Sequence, residues 1–432
     1  MNNALVKIWG RTVGALLWDE RSEVAHFQYD RPFVRDGLEL APLTMPLDSN
    51  RVYSFPQLRR RINEPHNAFN GLPGLFADSL PDRYGNELID AWLASQGRPA
   101  GSMNPVEKLC FIGKRAMGAM EFEPATPLGK DESFTVEINS LVNIAARMLQ
   151  HRSEFSTNLQ SDEELAVKKI LSIGSSVGGA RPKAVIALND ATGEVLSGQC
   201  AAPEGFEHWL IKLDGVSGVQ LGSSHGYGRV EYAYYLMARD CGVEMMPCRL
   251  LVENGRAHFL TKRFDRKGNA ERIHTQTLCA MNHMDFNNNR SYTYEQLFQV
   301  MRRLKLTYPE MEQMFRRMVF NVLARNCDDH TKNHTFIMNG DGSWRLAPAY
   351  DVCHAYRPGS EWVSFHSLSI NGKRDNITTD DMLRVAEQIN CRNPQGIIDE
   401  VQHSVNHWMD FATEAQVNED MAKAIDDTLI KQ

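Results

Sequence analysis

The stretch Asn326-Cys327-Asp328-Asp329-His330-Thr331-Lys332-Asn333 decides how this chain is read. It follows a run in which Met311, Met314, Phe315, Met318, Val319, Val322 and Leu323 recur at helical spacing. That spacing predicts a buried helix ending near Ala324, with the methionines as core packing. Asp328 and Asn333 then stand five positions apart. Phosphoryl transfer from a nucleotide needs a carboxylate for the attacking hydroxyl and an amide oxygen for Mg²⁺ a few ångströms away, and protein kinases place both on one loop at this interval. Asp is common in turns, so the spacing alone is weak. Its place between a buried helix and a hairpin strengthens it.

The hairpin follows directly. Thr335 to Met338 reads as a strand, Asn339-Gly340-Asp341-Gly342 as its turn, and Trp344 to Ala347 as the return strand. The return strand delivers Asp351 within Tyr350-Asp351-Val352. A metal ion bridging two phosphates requires one or two carboxylates beside phosphate oxygens. Asp351 is therefore the candidate metal carboxylate, with Asn333 as the amide.

Three weaker signals precede the loop. Gly174 to Lys183 is glycine-rich, and Gly178 and Gly179 allow close backbone approach to phosphate oxygens. It matches neither common phosphate-loop pattern, and such a turn is more often a plain loop. Lys183 ends it, either reaching phosphate or facing solvent. Lys212 lies in the apolar strand His208 to Leu213. It wants an anion, for which Glu231 on the following helix is one candidate, or it snorkels to water. Leu260 to Arg266 joins the β-rich part to the helical part and can offer backbone groups to an adenine edge. These signals stand in kinase order.

Elsewhere, Ala4 to Trp9, Val13 to Trp18, Val24 to Tyr29 and Ala116 to Phe122 read as strands. A helix follows Pro81, carrying Leu88, Ile89, Trp92 and Leu93 on one face. Helical patterns cover about Val230 to Cys241, Thr379 to Gln388, Gly396 to Phe411 and Thr413 to Leu429. The expected fold is α+β, kinase-like and two-lobed with a cleft. Its expected parts are a β-rich docking subdomain over 1–125, a nucleotide-binding lobe over 126–265 and a helical lobe over 266–432. Nothing before residue 125 carries recognisable chemistry.

The chain of 432 residues is 42% hydrophobic, enough for several cores. No apolar run is long enough for a membrane span, and Met1 to Gly10 lacks a signal-peptide core, so a cytoplasmic protein is expected. A net charge of −7 argues against broad direct binding to nucleic acid. The eight cysteines form no C-x-x-C pair and read as reduced, buried thiols.

At these residues the sequence resembles the HipA family of bacterial toxin kinases. The resemblance rests on Ser176 to Ala184, Lys262 to Arg266, Cys327 to Asn333 and Tyr350 to Val352, with Leu75 to Asn86 and Gly118 to Pro124 nearer the start. It implies Asp328 as the catalytic residue, and Asn333 and Asp351 holding Mg²⁺. It implies that Gly178, Gly179, Ala180, Arg181 and Lys183 form the phosphate loop and that Lys212 contacts the phosphates. Lys262, Arg263 and Phe264 would form the adenine hinge, and His330, Lys332 and Tyr350 would lie near ATP. Ser176 matches the family's autophosphorylated serine, with Ser175 as the alternative. A phosphate there adds about −1.5 to −2 charges and would repel ATP. The implied partners are a HipB-like DNA-binding antitoxin, operator DNA mainly through it, and an aminoacyl-tRNA synthetase as substrate. Asn326 stands where ordinary protein kinases carry His, and Val352-Cys353 replaces the Phe-Gly that follows the usual metal Asp.

Two rival readings remain: a small-molecule kinase like the aminoglycoside phosphotransferases, and a catalytically weak, antitoxin-binding co-repressor. The presence of Lys212, Asp328, Asn333 and Asp351 together speaks against the second.

Overall fold

The computed structural model describes residues 1–60, 67–125, 135–199 without 151–181, 201–216, 226–268, 271–288 and 290–431. The chain divides into two units, the first holding 1–41, 45–225 and 251–275, the second 42–44, 226–250 and 276–432.

Among the described residues, the first unit carries two five-stranded sheets and a two-stranded one that pairs Arg266–Lys267 with Glu271–Arg272. In one, β1 (Asn3–Ile8), β2 (Arg11–Asp19), β3 (Val24–Tyr29), β4 (Val52–Ser54) and β5 (Met120–Glu123) run in the order β4-β3-β2-β1-β5. Ala4, Val6 and Ile8 alternate inward on β1, as a sheet with one buried face requires. Trp9 and Gly10 both adopt positive φ between the paired Ile8 and Arg11, a two-residue turn whose twist suits the hairpin. The unfavourable backbone at Trp9 is anchored by its indole Nε1, which donates to the Arg272 carbonyl at 2.6 Å.

The second sheet consists of β6 (Lys183–Leu188), β7 (Val195–Ser197), β8 (Glu207–Lys212), β9 (Cys248–Glu253) and β10 (Arg256–Lys262), in the order β7-β6-β8-β10-β9. All six residues of β6 are buried, as expected of an inner strand. Its alternation splits the faces: Ala184, Ile186 and Leu188 pack with Leu88, Ile89 and Leu93 of the helix Arg83–Ser95 and with Leu141 and Val142 of the helix Ile138–Gln150. Ala187 instead joins Leu196, Ala202 and Phe206. The first 125 residues thus share a hydrophobic core with this sheet.

The reading of Ala116 to Phe122 as one strand needs correction, because the strand begins only at Met120. Gly118 has φ +74°, and its amide donates to the buried Asp265 carboxylate at 2.8 Å. Arg266 and Arg272 donate to the Gly118 carbonyl. Buried charge partners, not a ladder, hold this segment.

The second unit is mostly helical. The helix Tyr308–Leu323 buries Met311, Met314, Phe315, Met318, Val319, Val322 and Leu323, the stripe read from spacing. Trp408 is fully buried, edge-on to Tyr234 of the helix Tyr227–Asp240, and its Nε1 donates to the Ala422 carbonyl. Truncating such a tryptophan costs about 3–5 kcal/mol. The expected helix over 396–411 is broken at His407 into Pro394–Asn406 and Trp408–Glu414, and a positive φ at Gln416 precedes Glu419–Asp426. Among the described residues, no helix is long and apolar enough to cross a membrane.

Candidate active site

The helix Tyr308–Leu323 ends at Ala324, whose carbonyl accepts from the Tyr234 hydroxyl at 2.7 Å. Arg325 turns the chain with φ +54° and starts the loop. Asn326 then bridges to Ala355, and the Cys327 amide donates to the Ala355 carbonyl at 3.0 Å. The loop is therefore fixed at its entry by main-chain bonds to the segment that follows Asp351.

Asp328 points outward, with its side chain 47% exposed and Oδ1 3.8 Å from His330 Nε2. Asp329 points inward and is buried. Its Oδ1 accepts from the Ser367 amide at 2.7 Å, and its Oδ2 accepts from the Tyr294 hydroxyl at 2.9 Å and pairs with His366 Nδ1 at 3.0 Å. Asn326 Nδ2 donates to Asn321 Oδ1 and Asn321 Nδ2 to the Tyr294 hydroxyl, so one directed chain runs from the loop entry to Asp329. Such chains polarise their members and specify one geometry. Burial disfavours the charge on His366, but the Asp329 carboxylate outweighs it and raises the imidazole to about 10. The adjacent acids thus divide the labour: Asp329 anchors the loop and Asp328 faces solvent.

Asn333 closes the loop. Its side-chain amide donates to the Asp328 carbonyl at 2.7 Å, which leaves its amide oxygen for another partner. Tyr350 ties the next hairpin down, its hydroxyl donating to the Lys332 carbonyl at 2.5 Å and sharing a bond with Thr335 Oγ1. The strands Thr335–Met338 and Trp344–Leu346 pair as expected. The Ala349 amide donates to the Glu244 carbonyl at 2.8 Å. Asp351 follows with φ +55°, a left-handed conformation that Asp tolerates better than most residues.

Asn333 and Asp351 line one pocket, with Asn326, Asp329, His334 and Tyr350. Buried Arg317 of the helix Tyr308–Leu323 lines it too. Burial lowers Arg317 to about 10, still cationic at neutral pH, while Glu244 and Tyr350 favour its charge. Burial depresses His334 to about 4, so it is neutral there. Among the described residues no three His, Cys, Asp or Glu side chains cluster as a self-sufficient metal cage. One carboxylate and one amide oxygen on a shared pocket fit Mg²⁺, which keeps waters and completes its shell with phosphate oxygens. The His330 ring lies tilted by 49° to that of Phe286, centroids 5.1 Å apart, and Lys332 Nζ lies 5.2 Å from the same ring.

The remaining sequence-derived residues lie in the first unit. Lys183, read as the end of the glycine-rich loop, is the first residue of β6 and is buried. It pairs in register with Lys212 of β8, whose Nζ lies 5.8 Å from the Phe259 ring. Lys262 ends β10 and binds Glu207. Arg263 is buried, its guanidinium held by Asp265 through Nε at 2.8 Å and Nη2 at 2.6 Å, and its amide donates to the His208 carbonyl at 2.9 Å. Ser175, Ser176, Gly178, Gly179, Ala180 and Arg181 lie outside the described residues.

Sequence reasoning missed Asp329, Tyr294, His366 and Arg317. The repeated acid at 328–329 was the available signal, since one loop rarely needs two solvent-facing carboxylates. Arg317 interrupts the Met-rich stripe, which is a second signal.

A HipA-like C-terminal domain model matches residues 175–430, and a HipA N-terminal domain model matches 4–123. The chain belongs to the HipA family. The fold agrees. Among solved structures, the HipA, HipB and operator DNA complex from Shewanella oneidensis MR-1 matches with a TM-score of 0.65 and 16% identity, covering 98% of this chain and 94% of that one. The Helicobacter pylori proinflammatory kinase CtkA matches more loosely, with a TM-score of 0.33, 12% identity, and coverage of 52% of this chain and 88% of that one.

Proposed function

We propose that this HipA-family chain is an ATP- and Mg²⁺-dependent serine/threonine-protein kinase, the toxin of a toxin–antitoxin pair. The observation that carries the reading is the convergence of Asn333 and Asp351 on one pocket, with Asn333 bonded back to the Asp328 carbonyl. In the reaction, the substrate hydroxyl oxygen bonds to the γ-phosphorus as the bond to the β–γ bridging oxygen breaks. ADP departs with that electron pair, and the hydroxyl proton passes to the Asp328 carboxylate. Bound Mg²⁺ supplies charge neutralisation for the phosphates. Asn333 and Asp351 hold it, and buried Asp329 keeps Asp328 facing outward.

On this reading Lys212 engages the phosphates, with Gly178, Gly179, Ala180, Arg181 and Lys183 as the phosphate loop. Main-chain groups of 262–264 meet the adenine, and His330, Lys332 and Tyr350 flank the nucleotide. Residues 1–125 form a docking part, 126–265 a nucleotide-binding part and 266–432 the catalytic part. Ser176 is the self-modified residue. The partners are a HipB-like antitoxin and operator DNA, the components of the Shewanella complex, with the DNA met mainly through the antitoxin; a cytoplasmic aminoacyl-tRNA synthetase is the substrate.

The test is incubation of the full chain with γ-labelled ATP and Mg²⁺, followed by peptide mapping. Label on Ser176 supports the reading. Label only on an added aminoglycoside would replace it with small-molecule phosphotransfer.

A further inference from the structure

The segment Leu80-Pro81-Asp82-Arg83-Tyr84-Gly85-Asn86 has no part in the scheme above. Its geometry is nonetheless specific. Asp82 caps the helix Arg83–Ser95, with Oδ1 accepting from the Gly85 amide at 2.6 Å. Asn86 Nδ2 donates to the carbonyls of Pro81 and Asp82, and Asn86 Oδ1 accepts from Lys108 Nζ at 2.7 Å. The cap and these bonds fix where the second carboxylate oxygen points. That oxygen, Oδ2, lies 3.9 Å from Lys183 Nζ, and the two side chains are 3% and 2% exposed.

A buried ammonium demands an anion, because desolvation of the charge is otherwise uncompensated. Lys183 also stands directly opposite Lys212 on the neighbouring strand. Cross-strand partners project from the same face, and like charges there repel. Asp82 brings a carboxylate to a face that carries two lysines. Capping alone does not require this charge, since Asn caps a helix as well as Asp.

We propose that Asp82 is a positioning residue for polyphosphate binding. It holds the Lys183 ammonium and, through it, the two-lysine face that meets the phosphates of a nucleotide. The assignment rests on the ATP-dependent reading. It gives residues 1–125 a role in nucleotide binding through one carboxylate.

The test compares binding of ATP, ADP and adenosine to the full-length protein by calorimetry, alongside steady-state kinetics. Asp82→Asn keeps the cap and removes the charge. ATP affinity is expected to fall roughly tenfold, ADP affinity to fall less and adenosine affinity to hold, with the loss expressed in KM for ATP rather than kcat. Asp82→Glu should restore part of the affinity. In a Lys183→Gln background the Asp82 substitution should add nothing, as a double-mutant cycle reads. Lys183→Gln alone should show the same split between ATP and adenosine, which keeps the test open if Asp82→Asn does not fold. Unchanged ATP binding, equal losses for ATP and adenosine, or additive effects of the two substitutions would overturn the assignment. A wild-type chain that binds no ATP would overturn the kinase reading and this role together, and the wild-type arm alone reveals that case.

Discussion

The side-chain amide of Asn333 donates to the main-chain carbonyl of Asp328 at 2.7 Å. This one bond closes the loop over its five-residue interval and engages the side-chain nitrogen of Asn333, not its amide oxygen. Asn333→Asp should therefore fail despite the added charge, because a carboxylate cannot donate to a carbonyl. Apparent Mg²⁺ affinity, measured by titrating the transfer rate, should weaken at least the about 10–100-fold that loss of an outer-shell partner costs.

Asp329 and His366 form the buried charge pair under the loop. Among the described residues, replacing His366 with Ala leaves the carboxylate with the Tyr294 and Ser367 hydrogen bonds. Removing one partner of a buried pair costs about 3–5 kcal/mol, which urea unfolding should show. Asp329→Asn should lower the transfer rate as well as stability, whereas Asp328→Asn should lower the rate alone.

The histidines set a pH dependence. Burial lowers His274 to about 3 and His283, His334 and His354 to about 4, from an ordinary 6.5. These groups favour the folded chain above 6.5, and that advantage is lost as pH falls towards their folded values. His366 works in the opposite sense. Despite the opposing effect of burial, Asp329 raises it to about 10, so its contribution is complete below 6.5 and declines as pH climbs to about 10. Unfolding free energy should peak near pH 6.5. His366→Gln should flatten the alkaline side and leave the acid side in place.

Asp265 accepts from Arg263, Arg266 and the Gly118 amide. Burial opposes its charge, yet the two guanidiniums hold the carboxyl far below the usual range. Asp265→Ala should destabilise the chain by about 3–5 kcal/mol. Hydrogen exchange at the Gly118 amide should accelerate more than exchange within the helix Tyr308–Leu323.

What was legible in the sequence was local. The Met-rich stripe from Met311 to Leu323 shows because a helix repeats its buried face every turn. The hairpin after Asn333 shows because Asn339 to Gly342 is turn chemistry. The motifs carried the family. Hidden were the long-range pairings: Asp329 with His366, Asp82 with Lys183, and Gly118 with Asp265. Nothing in the spacing of two residues so far apart reports that they meet. The strand over 116–119 was misread because apolar residues there serve a turn pinned by buried arginines. The helix over 396–411 was read through its break because His407 carries no strong stop signal.

On the proposed reading, Asp328 accepts the substrate hydroxyl proton as the γ-phosphate is transferred. The most direct measurement is the single-turnover rate of label transfer from γ-labelled ATP for the wild type and for Asp328→Asn, with ATP affinity and unfolding followed in parallel. Asp328→Asn should bind ATP and unfold like the wild type while transfer falls by at least the about 10²–10⁴-fold typical of a lost general base. Transfer by Asp328→Asn at the wild-type rate would contradict the account.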